Sequence, residues 1–242
     1  MAISEAGKRQ LLEASRSLGV EIGDKLDRFS EYYDLLVAEN EAINLTALNT
    51  ETQVIHKHFV DSLTCFLSGR LEGFLKGIDV GTGGGFPGIP LAIVNSGLDL
   101  FLLDATRKKV EFVNRVCDRL GLPNAHALWN RAEVLGQQAA HREAYDRVVT
   151  RAVSPLNSLY ELCLPLLKVG GFLIAQKGPE VEGEIASARS VEGKLGGRLL
   201  EVIHLKLPVI GDPRSLVIVE KVAPTPDKYP RRPGAPQKNP LS

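Results

Sequence analysis

The sequence predicts an α/β fold with a seven-stranded, mostly parallel sheet, a C-terminal antiparallel hairpin and an N-terminal helical extension. Three observations lead to this prediction. A short apolar segment at residues 76–80 runs into a glycine-rich turn, and a helical pattern begins directly after it. From Gly77 onward, apolar strand patterns alternate with helical patterns, which is typical of a parallel sheet. The last two strand patterns are separated only by a turn, so they should pair as a hairpin.

The N-terminal part of the chain carries amphipathic helical patterns and no strand pattern. Apolar side chains recur at helical spacing in three stretches, residues 3–19, 24–39 and 51–67. We therefore expect three units: a helical extension at 1–70, a sheet domain at 71–222 and a tail at 223–242.

The sheet domain should contain strands at residues 78–80, 98–104, 125–129, 145–149, 172–176, 199–206 and 215–222. Helices should lie between the first five strands and after the fifth, at residues 89–95, 108–120, 131–140, 156–168 and 180–195. The second strand is a continuous apolar run, as expected for a strand that is buried on both faces. Pro208, Gly211 and Pro213 make the last connection a turn.

The tail is basic and rich in proline. Six of the chain's 14 prolines lie in residues 224–242, which carry one acid, Asp227, and four cations: Lys228, Arg231, Arg232 and Lys238. Such a segment is extended, and it either drapes over the body of the protein or remains free.

Composition limits the function classes. The chain has 29 basic and 29 acidic residues, so any nucleic-acid-binding surface must be local. No apolar run approaches the roughly 20 residues of a membrane helix, and we expect no membrane partner. Cys65, Cys117 and Cys163 are scattered and unpaired in sequence, which argues for a cytoplasmic protein without disulfides or a metal site.

The glycine-rich turn is the strongest functional signal. Asp79 comes two residues before Gly81, and four of the five residues from Gly81 to Gly85 are glycine. A carboxylate in the turn would repel a pyrophosphate and attract a cationic group, and Phe86 would crowd a pyrophosphate. The form Asp-x-Gly-x-Gly-x-Gly, which includes Gly83, resembles motif I of class I S-adenosylmethionine-dependent methyltransferases. The alternative is a plain turn that binds no ligand.

Side chains that follow the second and third strands point to an adenosine. Asp104 ends the second strand, 23 positions after Gly81, where an acid can accept both ribose hydroxyls. Dinucleotide enzymes share this feature, and Asp104 could instead cap the next helix. Ala132 and Glu133 follow the third strand, beside the expected adenine, although Glu133 could simply favour a helix N-terminus.

The turns after the fourth and fifth strands carry cations. Arg151 could hold a carboxylate of the methyl donor or an RNA phosphate, and a surface salt bridge is the alternative. Lys177 adds a basic turn on the same edge. His58 and Asp61 lie on one helix face, and a structural contact is the favoured interpretation of that pair. Trp129, the only tryptophan, is expected in the core.

The whole set of motifs resembles the glucose-inhibited division protein B family. In order, the matching segments are Asn44-Leu45-Thr46, His58-Phe59-Val60-Asp61-Ser62, the turn from Asp79 to Gly88, Asp104 with Lys108-Lys109, Arg131-Ala132-Glu133, Arg151-Ala152, and Tyr229-Pro230-Arg231-Arg232-Pro233-Gly234. They span nearly the whole chain.

The resemblance implies a Rossmann-like class I methyltransferase that methylates N7 of a guanine in the 530 loop of 16S rRNA. It implies S-adenosylmethionine as cofactor, contacted by Gly81, Phe86, Asp104, Ala105, Thr106, Ala132, Glu133 and Arg151. From the turn itself we add Asp79 and Gly83, and as RNA-binding candidates Lys177, Arg231 and Arg232. The expected partner is 16S rRNA or the small ribosomal subunit, and the expected enzyme is a monomer without a metal.

No catalytic acid or base is predicted. N7 of guanine has a free lone pair and carries no proton, so positioning can supply most of the rate. Three alternatives remain: a class I methyltransferase that acts on a small molecule or a protein, an NAD(P)-dependent oxidoreductase, and an RNA-binding or division-regulating module that has kept a vestigial glycine-rich loop.

Overall fold

The computed structural model of the protein describes residues 2–43, 50–151 and 154–242. The predicted Asn44-Leu45-Thr46 motif and Ala152 lie outside these residues.

The N-terminal extension is helical, as predicted. Helix α1 (Glu5–Ser17) begins after Ser4, whose side chain accepts a hydrogen bond from the Gly7 N–H, and α2 (Leu26–Ile43) follows. A third helical segment covers residues 51–68 and changes its winding three times. It consists of α3 (Glu51–Val54), a π-helical turn (Ile55–Val60), α4 (Asp61–Leu63) and a 3-10 turn (Thr64–Ser68).

A seven-stranded sheet follows, with the predicted final hairpin. Its strands are β1 (Leu75–Val80), β2 (Leu98–Asp104), β3 (Ala125–Trp129), β4 (Tyr145–Arg151), β5 (Leu167–Lys177), β6 (Gly197–Lys206) and β7 (Pro213–Lys221). Their order is β3-β2-β1-β4-β5-β7-β6. Strand β7 runs antiparallel to β5 and β6, and the remaining pairs are parallel.

The connecting helices are α5 (Gly88–Val94), α6 (Arg107–Leu120), α7 (Ala132–Leu135), α8 (Leu156–Cys163) and α9 (Glu182–Glu192), and α10 (Ala235–Lys238) lies in the tail. Two predicted helices were too long. Helix α7 is a single turn, and α8 ends at Cys163 because Pro165 has no N–H to continue the helical bonding. The chain then enters β5 at Leu167, five residues earlier than predicted.

Two apolar clusters cover the two faces of the sheet. Successive residues of one strand belong to different clusters, because their side chains point to opposite faces of the sheet. Leu102 belongs to the cluster that contains Phe59 and residues of the N-terminal helices, whereas Leu103 belongs to the cluster that contains Tyr160 of α8. All three cysteines are buried and free, which agrees with the core role predicted for them.

The strand order places a crevice at the carboxyl ends of the central strands. Strand β1 is flanked by β2 on one side and by β4 on the other, so the order in which strands are added to the sheet reverses at β1. The chain first adds β2 and β3 on one side of β1 and then returns to add β4 and β5 on the other side. Ligands of such sheets bind beyond the carboxyl ends of the strands at this switch point. The glycine-rich turn after β1 lies there.

Candidate active site

Asp79 holds the glycine-rich turn together. Its carboxylate is fully buried, and Oδ2 accepts hydrogen bonds from the Thr82 hydroxyl at 2.7 Å and the Gly88 N–H at 2.9 Å. A side chain at residue 88 would collide with Leu102 and Asp79, so only glycine allows this closure. Oδ1 is buried without a hydrogen-bond partner among the described residues.

Burial raises the pKa of Asp79 to about 7, although the hydrogen bonds from Thr82 and Gly88 act in the opposite direction. The sequence predicted that this carboxylate faces a cationic part of the ligand. In the structure it first orders the turn, and a direct ligand contact remains a prediction.

Asp104 links this turn to the next one. Oδ2 accepts a hydrogen bond from the Gly83 N–H at 3.0 Å, and Oδ1 accepts one from the Thr106 N–H at 2.7 Å. Gly83 has a positive φ of 59°, and a Cβ there would meet only the Gly81 carbonyl oxygen, 4.0 Å away. The turn is therefore open on its outer side, where a ligand can approach the backbone.

A small cavity of about 130 Å³ lies beside Asp104, beyond the ends of β1, β2 and β3. Five of the ten predicted cofactor residues line it: Gly81, Asp104, Ala105, Ala132 and Glu133. Its wall also includes Asn130, Arg131 and Gln237, the last from the tail. We call it the adenosine-side cavity. Thr106 does not line it and takes part through its backbone N–H.

Glu133 is almost completely buried at the edge of this cavity. Its Oε1 accepts hydrogen bonds from Arg131 Nη2 at 3.0 Å and from the Gly234 N–H at 2.7 Å. Burial alone would raise the pKa of this carboxyl, but the hydrogen bonds, that from Gly234 foremost, lower the pKa below its ordinary value. Glu133 is therefore ionised and joined to the tail.

A larger cavity of about 720 Å³ lies on the other side of Gly81, beyond β4 and β5. Gly81 and Gly83 border it, as do Phe86, Arg151 and Lys177 from the predicted set. Four cationic and three acidic side chains line it: Lys57, Arg151, Lys177 and Arg214, with Asp61, Glu180 and Glu184. We call it the acceptor-side cavity.

Arg151 is the centre of the contacts in this cavity. Its guanidinium lies 5.1 Å from the centroid of the Phe86 ring. Nη1 donates to the Lys57 carbonyl at 3.2 Å and contacts Asp61 Oδ2 at 3.4 Å. Nη2 lies 3.0 Å from His58 Nδ1. Arg151 is thus held by the helical segment 51–68, not by a surface partner.

Asp61 joins two arginines. Arg214 Nε, from β7, lies 3.3 Å from Oδ1, on the side opposite Arg151. Burial raises the pKa of Asp61, while Arg151 and Arg214 act in the opposite direction. The carboxylate therefore fixes two cations that come from distant parts of the chain.

His58 is neutral in this environment. Burial and the nearby Arg151 charge lower the pKa of its imidazole to about 3. The ring stacks on Phe86 with centroids 4.4 Å apart. An arginine at 3.0 Å makes Nδ1 the hydrogen-bond acceptor, since a guanidinium can only donate.

Sequence reasoning did not predict this cluster as a whole. The spacing of His58 and Asp61 on one helix face favours a structural contact, and in the structure both side chains contact Arg151 and line the cavity. Arg214 had no sequence signal, because it reaches the cavity from the hairpin.

Lys177 is mostly buried, and its Nζ contacts Glu184 at 2.7 Å and the Ser154 carbonyl at 2.9 Å.

The remaining candidates lie elsewhere. Arg231 forms a forked ion pair with the fully buried Glu161, with Nη2 2.6 Å from Oε2, whereas Arg232 is exposed. The core prediction for Trp129 was wrong: it is 56% exposed because it ends an edge strand, and its Nε1–H donates to the Ala105 carbonyl.

In the described part of the chain, no helix is long and apolar enough to cross a membrane, and no group of three or more His, Cys, Asp or Glu could hold a metal.

Comparison with known proteins decides the family. The model of the GidB family, described as rRNA small subunit methyltransferase G, matches residues 25–214. The ribosomal RNA small subunit methyltransferase G of Deinococcus radiodurans is 49% identical over 240 residues, which cover 99% of this chain and 95% of that protein. The chain belongs to the GidB family. The protein of the same name from Pelotomaculum thermopropionicum is also 49% identical, over 95% of this chain and 96% of its own length.

Solved structures of lower similarity share the fold. An S-adenosylmethionine-dependent methyltransferase from Aquifex aeolicus matches with a TM-score of 0.55 at 18% identity, over 74% of this chain and 97% of that one. The fibrillarin pre-rRNA processing protein of Methanococcus jannaschii matches with a TM-score of 0.51 at 11% identity, over 64% of this chain and 70% of that one. The predicted class I methyltransferase architecture is thereby confirmed.

This GidB-family chain is a methyltransferase, and S-adenosylmethionine is its methyl donor. The residues present fit that molecule. The turn after β1 is open where a ligand would approach it, an acid ends β2, and the unpartnered Oδ1 of Asp79 lies beneath the turn.

Proposed function

We propose that this enzyme methylates N7 of a guanine in the 530 loop of 16S rRNA, in the cytoplasm and as a monomer. The acceptor-side cavity carries the proposal. It lies directly beside the glycine-rich turn, it has one more cationic than acidic side chain, and its central Arg151 rests on Phe86. Cationic side chains that line a site suit the phosphates of an exposed RNA loop.

The chemistry of N7 agrees with the groups in this cavity. S-adenosylmethionine supplies an electrophilic methyl group on a sulfonium sulfur. Methylation of N7 forms one nitrogen–carbon bond from a lone pair and removes no proton. His58, with a pKa of about 3, is a very weak base, and Asp61 is occupied by two arginines. Neither is suited to general-base catalysis, and none is needed.

The side chains instead bind and orient. Asp104 is the residue for the ribose hydroxyls, and Ala132 and Glu133 border the space for the adenine. Arg151 anchors a carboxylate or phosphate, with its guanidinium fixed by Asp61 and His58. Phe86 is itself buried, and its ring supports His58, which stacks on it, and the guanidinium of Arg151.

The test is transfer of a labelled methyl group from S-adenosylmethionine to three substrates: naked 16S rRNA, assembled small subunits and whole ribosomes. We expect 7-methylguanosine after nuclease digestion, at one site in the 530 loop. With saturating donor, the rate of the chemical step should show no ionisation of a general base near neutral pH. Label in another nucleotide, in a protein or in a small molecule would refute the proposal and favour a different acceptor for the same fold.

A further inference from the structure

The tail is fastened to the body over its whole described length. Gln137 Nε2 donates to the carbonyls of Asp227 and Pro230, at 3.1 and 3.0 Å. Arg142 donates to the carbonyls of Thr225 and Tyr229, at 2.7 and 2.8 Å. Side chains of the body thus bind the backbone of the tail, so the contacts fix the path of the chain.

One ion pair dominates the attachment. Glu161 on α8 is fully buried, and Arg231 is its cationic partner. Arg231 Nε donates to Oε1 at 2.8 Å, Nη2 donates to Oε2 at 2.6 Å, and the backbone N–H of Arg231 donates to Oε1 at 2.8 Å. Loss of the guanidinium would leave a buried carboxylate without its counter-ion, which is strongly unfavourable.

Beyond this ion pair, the tail passes along the adenosine-side cavity. The Gly234 N–H donates to Glu133 Oε1 at 2.7 Å, and the Ser158 hydroxyl donates to the Pro236 carbonyl at 2.8 Å. Between these anchors and the chain end, Gln237 lines the cavity together with Asp104. Its side-chain amide has both donors and an acceptor, which suits the edge of an adenine.

We propose that the tail is part of the cofactor site: Gln237 contacts the adenosine part of the methyl donor, and Arg231 is a positioning residue that holds Gln237 and Gly234 in place. The basic tail then serves donor binding, and the RNA contact predicted for Arg231 gives way to its ion pair with Glu161. This inference rests on the donor and is independent of the methyl acceptor.

Calorimetry with S-adenosylhomocysteine tests the proposal on the full chain. Gln237→Ala should weaken binding by about 3- to 10-fold, the effect of one or two lost hydrogen bonds. Arg231→Ala should weaken it about 10-fold or more, because a charge-assisted fork is lost and the tail is released. The matched controls are two neighbours that do not line the cavity: Arg232→Ala and Lys238→Ala should bind as the wild type does.

Limited proteolysis separates ligand binding by the tail from a purely structural role. If the role were purely structural, the ligand would protect the tail equally in the wild type and in Gln237→Ala. If the tail contacts the ligand, then S-adenosylhomocysteine must stabilise the docked tail, since linkage is reciprocal. Cleavage by trypsin within residues 228–238 should therefore slow when the ligand is added to the wild type. The ligand should protect Gln237→Ala less, at an equal fraction of bound protein.

Two results would overturn the proposal. One is unchanged S-adenosylhomocysteine affinity in Gln237→Ala; the other is an Arg231→Ala variant with a lower Tm and wild-type affinity, which would make the tail a clamp for the fold alone. If Arg231→Ala does not fold, Arg231→Lys replaces it and should show intermediate affinity. These outcomes are separate from the rRNA proposal, because wild-type binding of S-adenosylhomocysteine without methylation of rRNA would refute only the latter.

Discussion

The two cavities that meet at Gly81 are built in different ways. The adenosine-side cavity is small, and its acids are already engaged by nearby backbone: Asp104 by Gly83 and Thr106, and Glu133 by Gly234. The acceptor-side cavity is more than five times larger and is lined by long charged side chains from several elements.

This difference agrees with the two tasks that we propose for the cavities, cofactor binding in the small one and RNA binding in the large one. A cofactor is the same molecule in every turnover, so a narrow site with fixed donors and acceptors can be completed in advance. An RNA loop is larger and has to enter and leave, and arginine and lysine side chains can bind its phosphates while the cavity stays open. If the two cavities are functionally separate, a substitution in one should change cofactor binding and a substitution in the other should change methylation of RNA.

The largest effect is expected in the acceptor-side cavity, at Arg151. Arg151→Lys keeps the charge and loses the planar fork that contacts Asp61 and His58 together. We expect kcat for rRNA methylation to fall by about 100-fold, since small misplacements in a site have effects of that size. The affinity for S-adenosylhomocysteine should change much less if Arg151 holds an RNA phosphate, and should fall in parallel if Arg151 holds the carboxylate of the donor. The control is Arg198→Lys, which alters an exposed ion pair with Glu220 on the hairpin. An equal loss of cofactor affinity would show that Arg151 binds the methyl donor, and the two cavities would then not be functionally separate.

A smaller effect, confined to the cofactor, is expected at Asp104. Asp104→Ala leaves the N–H groups of Gly83 and Thr106 without their acceptor and removes the residue that we propose as the partner of the ribose. Affinity for S-adenosylhomocysteine should fall by about 1–3 kcal/mol in calorimetry. Asp99→Ala is the matched control, because Asp99 lies at the other end of β2 in an exposed pair with His126. Wild-type affinity in a folded Asp104→Ala protein would remove this residue from the ribose role.

The remaining prediction concerns stability rather than activity or binding, and it tests the pH dependence at Asp79. The pKa of this buried acid is raised to about 7, from an ordinary value near 3.8, so its proton stabilises the fold. This contribution is fully present at low pH and is lost as the pH rises through 7. The free energy of unfolding of the wild type should therefore fall relative to that of Asp79→Asn by up to about 1.4 kcal/mol per pH unit between pH 4 and 7.

Denaturant unfolding of both proteins at several pH values measures this difference. Asn is a suitable substitute because its amide oxygen can still accept from Thr82 and Gly88. Parallel stability curves for the two proteins would mean that Asp79 is ionised throughout, and that its unpartnered oxygen is better solvated than the structure indicates.

The same contrast explains what could be predicted from sequence. The adenosine side depends on local order: a glycine-rich turn after β1, an acid at the end of β2 and small residues after β3. Each is visible within about ten residues of sequence, and five predicted residues do line that cavity. The alternation of strands and helices, with the final hairpin, was equally local.

The acceptor side depends on distant contacts that no local pattern carries. Asp61 is 90 positions from Arg151 in sequence and much further from Arg214, yet it contacts both. The ion pair of Arg231 with Glu161 could not be predicted for the same reason. Glu161 lies on α8, whose sequence has the apolar pattern of a helix that packs in the core. Sequence could show that these residues are charged, and only the fold shows which charges meet.

The π-helical turn at residues 55–60 has a consequence for how this protein tolerates changes in length. In that turn the N–H of Asp61 reaches back five residues to the His56 carbonyl, so the backbone accommodates one residue more than a regular helix would. Deletion of one residue within the turn would restore regular winding and leave the flanking helical turns in nearly their present orientation, because the turn already absorbs the extra residue. The same deletion within the regular helix α2 would rotate all following side chains by about 100° relative to those before it. A single-codon deletion within residues 55–60 should therefore lower the Tm less than one in the middle of α2.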